Sequence, residues 1–461
     1  MKRLLRVAVF LGAACATPTG PAEPASASSS APAQAPPAVS AKSPGNAPVA
    51  DGDVTTGTVG GVQVLVQRVP GAELVTATLA IRGGVQYLDA RTAGVELLGL
   101  RTAASGGTQR LDKDAFSRRL AKLGSTLRAR ASPNYSVLQA KSLLGAWEPT
   151  FDLLTEVFLT PGLPDAELEL QRQQQLQELR HELETPDGTL RVLSYGILFA
   201  GTAYANRPVG TEDSVTALTA EDVRTHLAQM RVQKRLLLVV VGDVAPEAVL
   251  ARAQAALGSL PPGGDVPALP GALSFPKPRL EVESRTLPTN FILARFAGPS
   301  WQSPDFAAAR LATSVLAERE FVEVRTKRNL SYAAAAALDV SRPQTFGALY
   351  VSAVDPGAAL PVMQEVVKGL ASRAVPDKEL AGFRSTFLTG YLEGQQTTDG
   401  AAGRLVEAQL VGGDWRLLRT LPERIRKTTA QDVQAFAQRY VRDYQVAVVG
   451  DPKKVDLSML H

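Results

Sequence analysis

Cysteine and histidine are scarce in this chain of 461 residues, and their scarcity limits the chemistry open to it. The one cysteine is Cys15, so a single chain can form neither a disulfide framework nor a zinc site made of thiolates. The three histidines are His181, His226 and His461, and none is paired at the spacing that places two ligands on one helical face. The common structural and catalytic zinc sites are therefore excluded within one chain.

A strong excess of charge and a long apolar run are also missing. The 49 basic and 45 acidic residues are interspersed and give a net charge of +4, with no basic run, so nucleic-acid binding has little support. No apolar run approaches the ~20 residues that a membrane span needs. Hydrophobic residues make up 45% and charged residues 20%, which is a normal globular mixture, and the length suits two domains plus a tail.

Residues 1–15 are typical of a signal peptide, with a basic start, a short apolar run and small residues before Cys15. The small residues resemble a bacterial lipobox, so we predict that Cys15 is lipidated; ordinary signal-peptidase cleavage near Ala14 or Ala16 is the alternative. Residues 16–52 are mainly Ala, Pro, Ser and Gly, a composition that predicts a disordered tether. We therefore expect a periplasmic or cell-envelope protein that is held at a membrane by a lipid anchor.

Three short motifs occur twice in the chain, in the same order. The pairs are L-P-D-A-E-L at 163–168 and V-P-D-K-E-L at 375–380, T-A-E-D-V at 219–223 and T-A-Q-D-V at 429–433, and V-V-G-D at 240–243 and 448–451. Their offsets are 212, 210 and 208 residues, and three matches at nearly one offset predict two duplicated domains. We place these domains at 53–260 and 278–461, joined by the Pro/Gly-rich linker 261–277.

Each half is expected to repeat one order of strands and helices. In the first half the expected strands lie at 62–69, 75–81, 125–131, 135–141 and 236–241, and the expected helices lie at 91–104, 112–123, 146–158, 164–184 and 187–199, with a last one after a cap at Thr219. This order predicts an α+β fold of two homologous domains, each an antiparallel-rich sheet with helices packed on one side.

Residues 319–332 read R-E-F-V-E-V-R-T-K-R-N-L-S-Y. This stretch resembles the signature R-L-F-x-E-L-R-E-K-R-G-L-[AS]-Y in the C-terminal domain of pitrilysin/insulinase-family peptidases, and the resemblance covers about 55–461. In that family two signature residues reach toward the peptide carbonyl at the zinc site, and here they match Arg325 and Tyr332. Donors aimed at a carbonyl oxygen stabilise the oxyanion that forms on attack. Without the resemblance, Arg325 would be read as a solvated helix charge and Tyr332 as a residue that fills a gap under the sheet.

The resemblance also implies an H-x-x-E-H motif on the first helix, where two histidines hold zinc and the glutamate activates water. The corresponding window, 93–108, reads A-G-V-E-L-L-G-L-R-T-A-A-S-G-G-T and supplies no histidine in any register. Glu178 falls where the family has a distant zinc-binding glutamate, with His181 one helical turn later. A single glutamate and a single histidine on a helix are more typical of a solvated face. We predict no metal or other cofactor in this chain, and zinc only in a partner.

Two hypotheses follow from this pattern. The first is a non-catalytic, substrate-binding subunit of a zinc metallopeptidase, which supplies Arg325 and Tyr332 to a histidine-bearing partner of the same family, in a heterodimer or larger complex that binds a peptide substrate. Mitochondrial processing peptidase divides its labour in this way. The second is an inert scaffold or peptide-binding lipoprotein, like the core proteins of the bc1 complex; it is favoured by 314–318, which lack the glycines that usually precede the signature. A serine or aspartic hydrolase has no supporting motif.

Overall fold

The first half of the chain is built on a seven-stranded sheet in the computed structural model, which describes residues 48–270, 275 and 277–455. Its strands are β1 (Val49–Asp51), β2 (Val54–Val59), β3 (Val62–Arg68), β4 (Leu74–Arg82), β5 (Thr126–Ala131), β6 (Tyr135–Leu143) and β7 (Leu236–Gly242). They are ordered β1-β2-β3-β7-β4-β6-β5, and only the β3–β7 pair is parallel. β7 lies in the middle and is buried along its whole length, which explains its uninterrupted apolar sequence.

Eight helices accompany this sheet within the described part of the chain. They are α1 (Val95–Gly106), α2 (Lys113–Lys122), α3 (Trp147–Leu159), α4 (Asp165–Glu184), α5 (Pro186–Phe199), α6 (Glu212–Ala217), α7 (Ala220–Met230) and α8 (Pro246–Leu257). The predicted cap of α7 is present, because Thr219 accepts from the Asp222 amide in a capping box. α1 begins four residues later than expected, since Asp89 accepts from the Thr92 amide at 2.8 Å and forms a turn there.

The second half repeats this plan on a five-stranded sheet. Its strands are β8 (Arg279–Ser284), β9 (Asn290–Ser300), β10 (Ser331–Asp339), β11 (Gln344–Ala353) and β12 (Gln445–Gly450), in the order β10-β11-β9-β12-β8. Its helices are α9 (Phe306–Glu320), α10 (Pro356–Ser372), α11 (Asp377–Glu393), α12 (Thr398–Leu410), α13 (Leu417–Lys427) and α14 (Ala430–Tyr440), and a π-helical turn, Phe321–Thr326, follows α9. The predicted α+β architecture of two antiparallel-rich sheets is confirmed.

The folded body begins earlier than the sequence suggested. β1 lies inside the range 16–52 that was assigned to the tether, and it pairs with β2. Its last residue, Asp51, also accepts from Arg416 Nε at 2.7 Å, which attaches this edge strand to the second half. Cys15 and the signal peptide lie outside the described residues. Within the described part, no helix is long and apolar enough to cross a membrane.

The two halves exchange helices across their sheets. In each half the other helices pack on one face of the sheet, and the second face is covered by a helix of the other half. α12 places Ala402 and Leu405 on the first sheet, against residues such as Leu237. α5 places Leu190 on the second sheet, against residues such as Val449. The described residues consequently form one compact unit.

Candidate functional site

The place of the family's zinc motif is filled by an ion pair. Arg101 on α1 donates from Nη1 to Glu178 Oε2 on α4 at 2.9 Å. Leu98 and Thr102 are fully buried, and Thr102 donates its hydroxyl to the Leu98 carbonyl at 2.8 Å. Glu178 therefore does face α1, as the resemblance implies, but its charge is met by a guanidinium of the same chain.

The residues around this place do not fit a zinc ion. His181 is 78% exposed and lies with Nδ1 3.5 Å from Glu184 Oε2, on the solvated face that the sequence suggested. The described part of the chain contains no group of three or more His, Cys, Asp or Glu side chains that could hold a metal. The group beside Glu178 is the Arg101 guanidinium, and this cation repels a metal ion.

A buried polar cluster on the inner side of α1 was missed by sequence reasoning. Glu96 accepts from His226 Nε2 of α7 at 2.9 Å, and Arg235 Nη2 lies 3.5 Å from the same carboxylate oxygen. The Arg235 guanidinium also lies 3.9 Å from the centre of the Tyr87 ring. Along the sequence, Glu96 is separated from His226 by 130 residues and from Arg235 by 139. No local sequence pattern therefore predicts the cluster. The hydrogen bond between His226 and Glu96 joins α7 to the buried side of α1.

Arg325 and Tyr332 lie side by side in the second half. The Arg325 guanidinium carbon lies 4.6 Å from the centre of the Tyr332 ring and 4.9 Å from that of Phe321. Arg325 is placed by the π-helical turn, a feature that is often found at functional sites. Tyr332 sits at a β-bulge: Ser331 pairs with Ala353 and Ala333 pairs with Ser352, which leaves Tyr332 without a partner on β11.

This arrangement leaves the polar donors of the exposed Tyr332 and of the half-buried Arg325 available to an external group. Tyr332 is 78% exposed, so it does not fill a gap under the sheet. Among the residues that the structure describes, neither the Arg325 guanidinium nor the Tyr332 hydroxyl has a hydrogen-bond partner. The two aromatic rings restrict the guanidinium plane without using its N–H groups. The pair can therefore donate to an external carbonyl or carboxylate oxygen.

Two family models match the chain. The model described as Insulinase (Peptidase family M16) matches residues 63–209, and the model described as Peptidase M16 inactive domain matches residues 217–386. The chain belongs to the insulinase family. The resemblance seen in the sequence is thereby confirmed, and the insulinase match includes the window 93–108 that has no histidine.

Relatives of this insulinase-family chain carry different names. An uncharacterized zinc protease of Mycobacterium leprae is 24% identical over 345 residues, which cover 71% of this chain and 76% of that protein. The human mitochondrial cytochrome b-c1 complex subunit 1 is 24% identical over 208 residues, which cover 44% of this chain and 42% of that protein. The chain thus resembles both a protein named as a protease and a subunit of a respiratory complex.

Solved structures share the fold. A peptidase M16 inactive domain from Pseudomonas fluorescens superposes with a TM-score of 0.78 at 19% identity, covering 86% of this chain and 98% of that one. A protease from Helicobacter pylori gives the same TM-score at 17% identity, covering 87% and 99%. The two-domain layout of this chain is therefore that of other insulinase-family proteins.

Proposed function

We propose that this chain is a non-catalytic, substrate-binding subunit of a heteromeric zinc metallopeptidase. It supplies Arg325 and Tyr332 to the active site of a partner of the same family that carries the histidines. The observation that carries the proposal is the pair of donors that lack a hydrogen-bond partner in the described chain, the half-buried Arg325 and the exposed Tyr332, 4.6 Å from guanidinium carbon to ring centre. The Arg101–Glu178 ion pair at the motif position supports the part of the proposal that assigns no hydrolysis to the chain alone.

The contribution of the pair would be electrostatic. Hydrolysis of a peptide places negative charge on the carbonyl oxygen when water attacks the carbon. Donors from Arg325 and Tyr332 would bind that oxygen more strongly in the transition state than in the substrate, which raises the rate rather than the affinity alone. The stacked rings hold the guanidinium in place beforehand, so little reorganisation is needed during the reaction.

A scaffold without any role in hydrolysis is the alternative. The similarity to the cytochrome b-c1 complex subunit supports it, because that relative is named as part of a respiratory complex. The stretch 314–318, which lacks the usual glycines and forms regular turns of α9, points the same way. Attachment to a membrane through a lipid on Cys15, facing the periplasm, stays a prediction in either case.

Reconstitution with a histidine-bearing family member from the same organism distinguishes the substrate-binding subunit from the scaffold. After the complex is confirmed by size, peptide hydrolysis is measured for Arg325→Ala and Tyr332→Phe. We expect turnover to fall about 10²–10³-fold, the typical loss on removing one oxyanion donor, while assembly is unchanged. Arg328→Ala is the matched control, since Arg328 is exposed and already bound by Glu323.

Wild-type turnover in both variants, with the complex intact, would leave only the scaffold. Metal analysis of the chain alone provides an independent test. We expect no stoichiometric zinc, because Arg101 occupies the place that faces Glu178. About one tightly bound zinc per chain would contradict the assignment of zinc to the partner.

A further inference from the structure

Two half-buried arginines, Arg310 on α9 and Arg404 on α12, lie against aromatic rings of α11. The guanidinium carbon of Arg310 is 5.2 Å from the centre of the Phe387 ring, and that of Arg404 is 4.7 Å from the centre of the Tyr391 ring. The two rings stack on each other, with centres 6.2 Å apart and planes inclined by 17°. One aromatic stack of α11 therefore holds both cations in place.

Neither guanidinium group has an anionic partner. Within the described chain, no carboxylate forms an ion pair with Arg310 or Arg404, and no carbonyl oxygen accepts a hydrogen bond from them. Their nitrogens are also absent from the fully enclosed polar atoms that lack a partner in this part of the chain, so unpaired N–H groups can be reached from outside. By comparison, the half-buried Arg384 of α11 donates from Nε to the Thr428 carbonyl at 3.1 Å. A cation withdrawn from water normally has such an acceptor, because burying it without one is costly.

The charge at this place is positive on balance. Burial lowers the pKa of Arg310, the charge of Glu407 raises it, and the charge of Arg404 lowers it, so the two guanidinium groups lie near enough to repel each other. Burial raises the pKa of Glu407 to about 7 against the charges of both arginines, so this acid is only partly ionised at neutral pH. The next acid, Asp339, is bound by Arg342 at 3.2 Å.

A glycine leaves the room that Arg404 occupies. Gly394 follows the last residue of α11, and a Cβ built on it would lie 2.0 Å from Arg404 Nη2 and 2.9 Å from Cζ. Its φ of −66° is open to any residue, so the backbone conformation does not require glycine there. The close approach of the guanidinium group does. The position of Arg404 is thus set by the Tyr391 ring and by the missing side chain of Gly394.

We propose that Arg310 and Arg404 form a binding site for an oxyanion group, a carboxylate or a phosphate, where α9, α11 and α12 meet. A guanidinium group offers parallel N–H donors that match two oxygens of either group, and the rings fix its plane in advance. The bound anion supplies the acceptors that the chain lacks and reduces the repulsion between the two cations. The site does not include Arg325 or Tyr332, so it is independent of the proposed role in hydrolysis.

Calorimetric titration of the full-length protein tests this site with two probes, inorganic phosphate and a trialanine peptide that has a free C-terminal carboxylate. The ionic strength is held constant, because salt screens both. We expect saturable binding of at least one probe. Binding of phosphate alone assigns the site to phosphate groups, and peptide binding that is lost when the C-terminus is amidated assigns it to carboxylates. Peptide binding that survives amidation, without phosphate binding, would contradict the proposal.

Four variants locate the bound probe. Gly394→Ala keeps both charges and the fold, since only the end of a flexible side chain must move, and it should weaken binding about tenfold, as expected for one lost charge-assisted hydrogen bond. Arg310→Gln and Arg404→Gln should weaken binding at least as strongly. Arg373→Gln removes the same charge from an exposed arginine and should leave the affinity unchanged.

Three results would overturn the proposal. The first is no saturable binding of either probe to the wild type. The second is equal affinity in the wild type and in the variants of Arg310, Arg404 and Gly394. The third is binding that is lost in Arg325→Ala but kept in those three variants, which would place the anion at the exposed donor pair instead.

Discussion

At the scale of single residues, Glu320 conflicts with its surroundings. It ends α9, is fully buried, and neither carboxyl oxygen has a hydrogen-bond partner in the described structure. Burial raises the pKa of Glu320 well above its usual range. The resembled signature has leucine at this position. Nothing in the structure explains the glutamate.

Glu320→Leu should therefore stabilise the protein. Removing a buried polar group without a partner is expected to add about 1–3 kcal/mol to the free energy of unfolding. A raised folded-state pKa makes the wild type less stable as the pH rises, so the gain should be larger at pH 8 than at pH 5. Chemical denaturation at the two pH values measures it. Glu318→Leu, on the exposed face of the same helix, is the control; equal gains from both substitutions would refute the explanation.

At the scale of elements, the turn between β10 and β11 is clamped by the first half. Arg342 in this turn is 5% exposed and lies 5.0, 4.2 and 5.2 Å from the ring centres of Tyr195, Phe199 and Tyr204, respectively. It also binds Asp339 at 3.2 Å, and Asp339 accepts from Tyr195. A cation within aromatic rings thus joins α5 and its following loop to the second sheet.

Arg342→Ala should weaken this joint strongly. The substitution leaves Asp339 with less compensation and opens a cavity among three rings, and we expect a loss of about 3 kcal/mol in the free energy of unfolding. Arg342→Lys should recover only part of it, because an ammonium group does not reproduce the planar stacking. Denaturant titration measures both, beside Arg328→Ala as a surface control. A loss below about 0.5 kcal/mol for Arg342→Ala would show that the clamp is energetically neutral.

At the scale of the whole molecule, the exchanged helices make the halves interdependent. Without α12, the first sheet would expose apolar residues such as Leu65 and Leu237 on one face. Without α5, the second sheet would expose Leu293 and Val449. Apolar areas of this kind cause self-association when they are left uncovered. The duplicated domains are therefore repeats of one plan but not independent folding units.

Fragments cut in the linker should show this dependence. We expect residues 46–268 and 269–461, expressed alone, to bind a hydrophobic dye and to lack a cooperative unfolding transition. Mixing them should restore the transition. The full chain with a protease site in the linker, cleaved after folding, is the matched control and should stay intact. Cooperative unfolding of either fragment alone, near the melting temperature of the full chain, would contradict the interlocked core.

The sequence by itself determined the elements whose patterns are local. The expected helix 187–199 is α5, Pro186–Phe199, and the expected strand 62–69 is β3, Val62–Arg68, because apolar spacing and caps act within one element. The duplication, the family and the lack of a histidine pair could also be inferred from the sequence.

Only the tertiary structure decided how distant residues meet. It placed Arg101 against Glu178 across 77 residues, paired the hydroxyls of Thr76 and Thr398 across 322, and turned Tyr332 outward at a bulge. It also made an edge strand of Val49–Asp51, which a tether-like composition had concealed. Such contacts depend on which surfaces the folded elements bring together, and no short stretch of sequence encodes that choice.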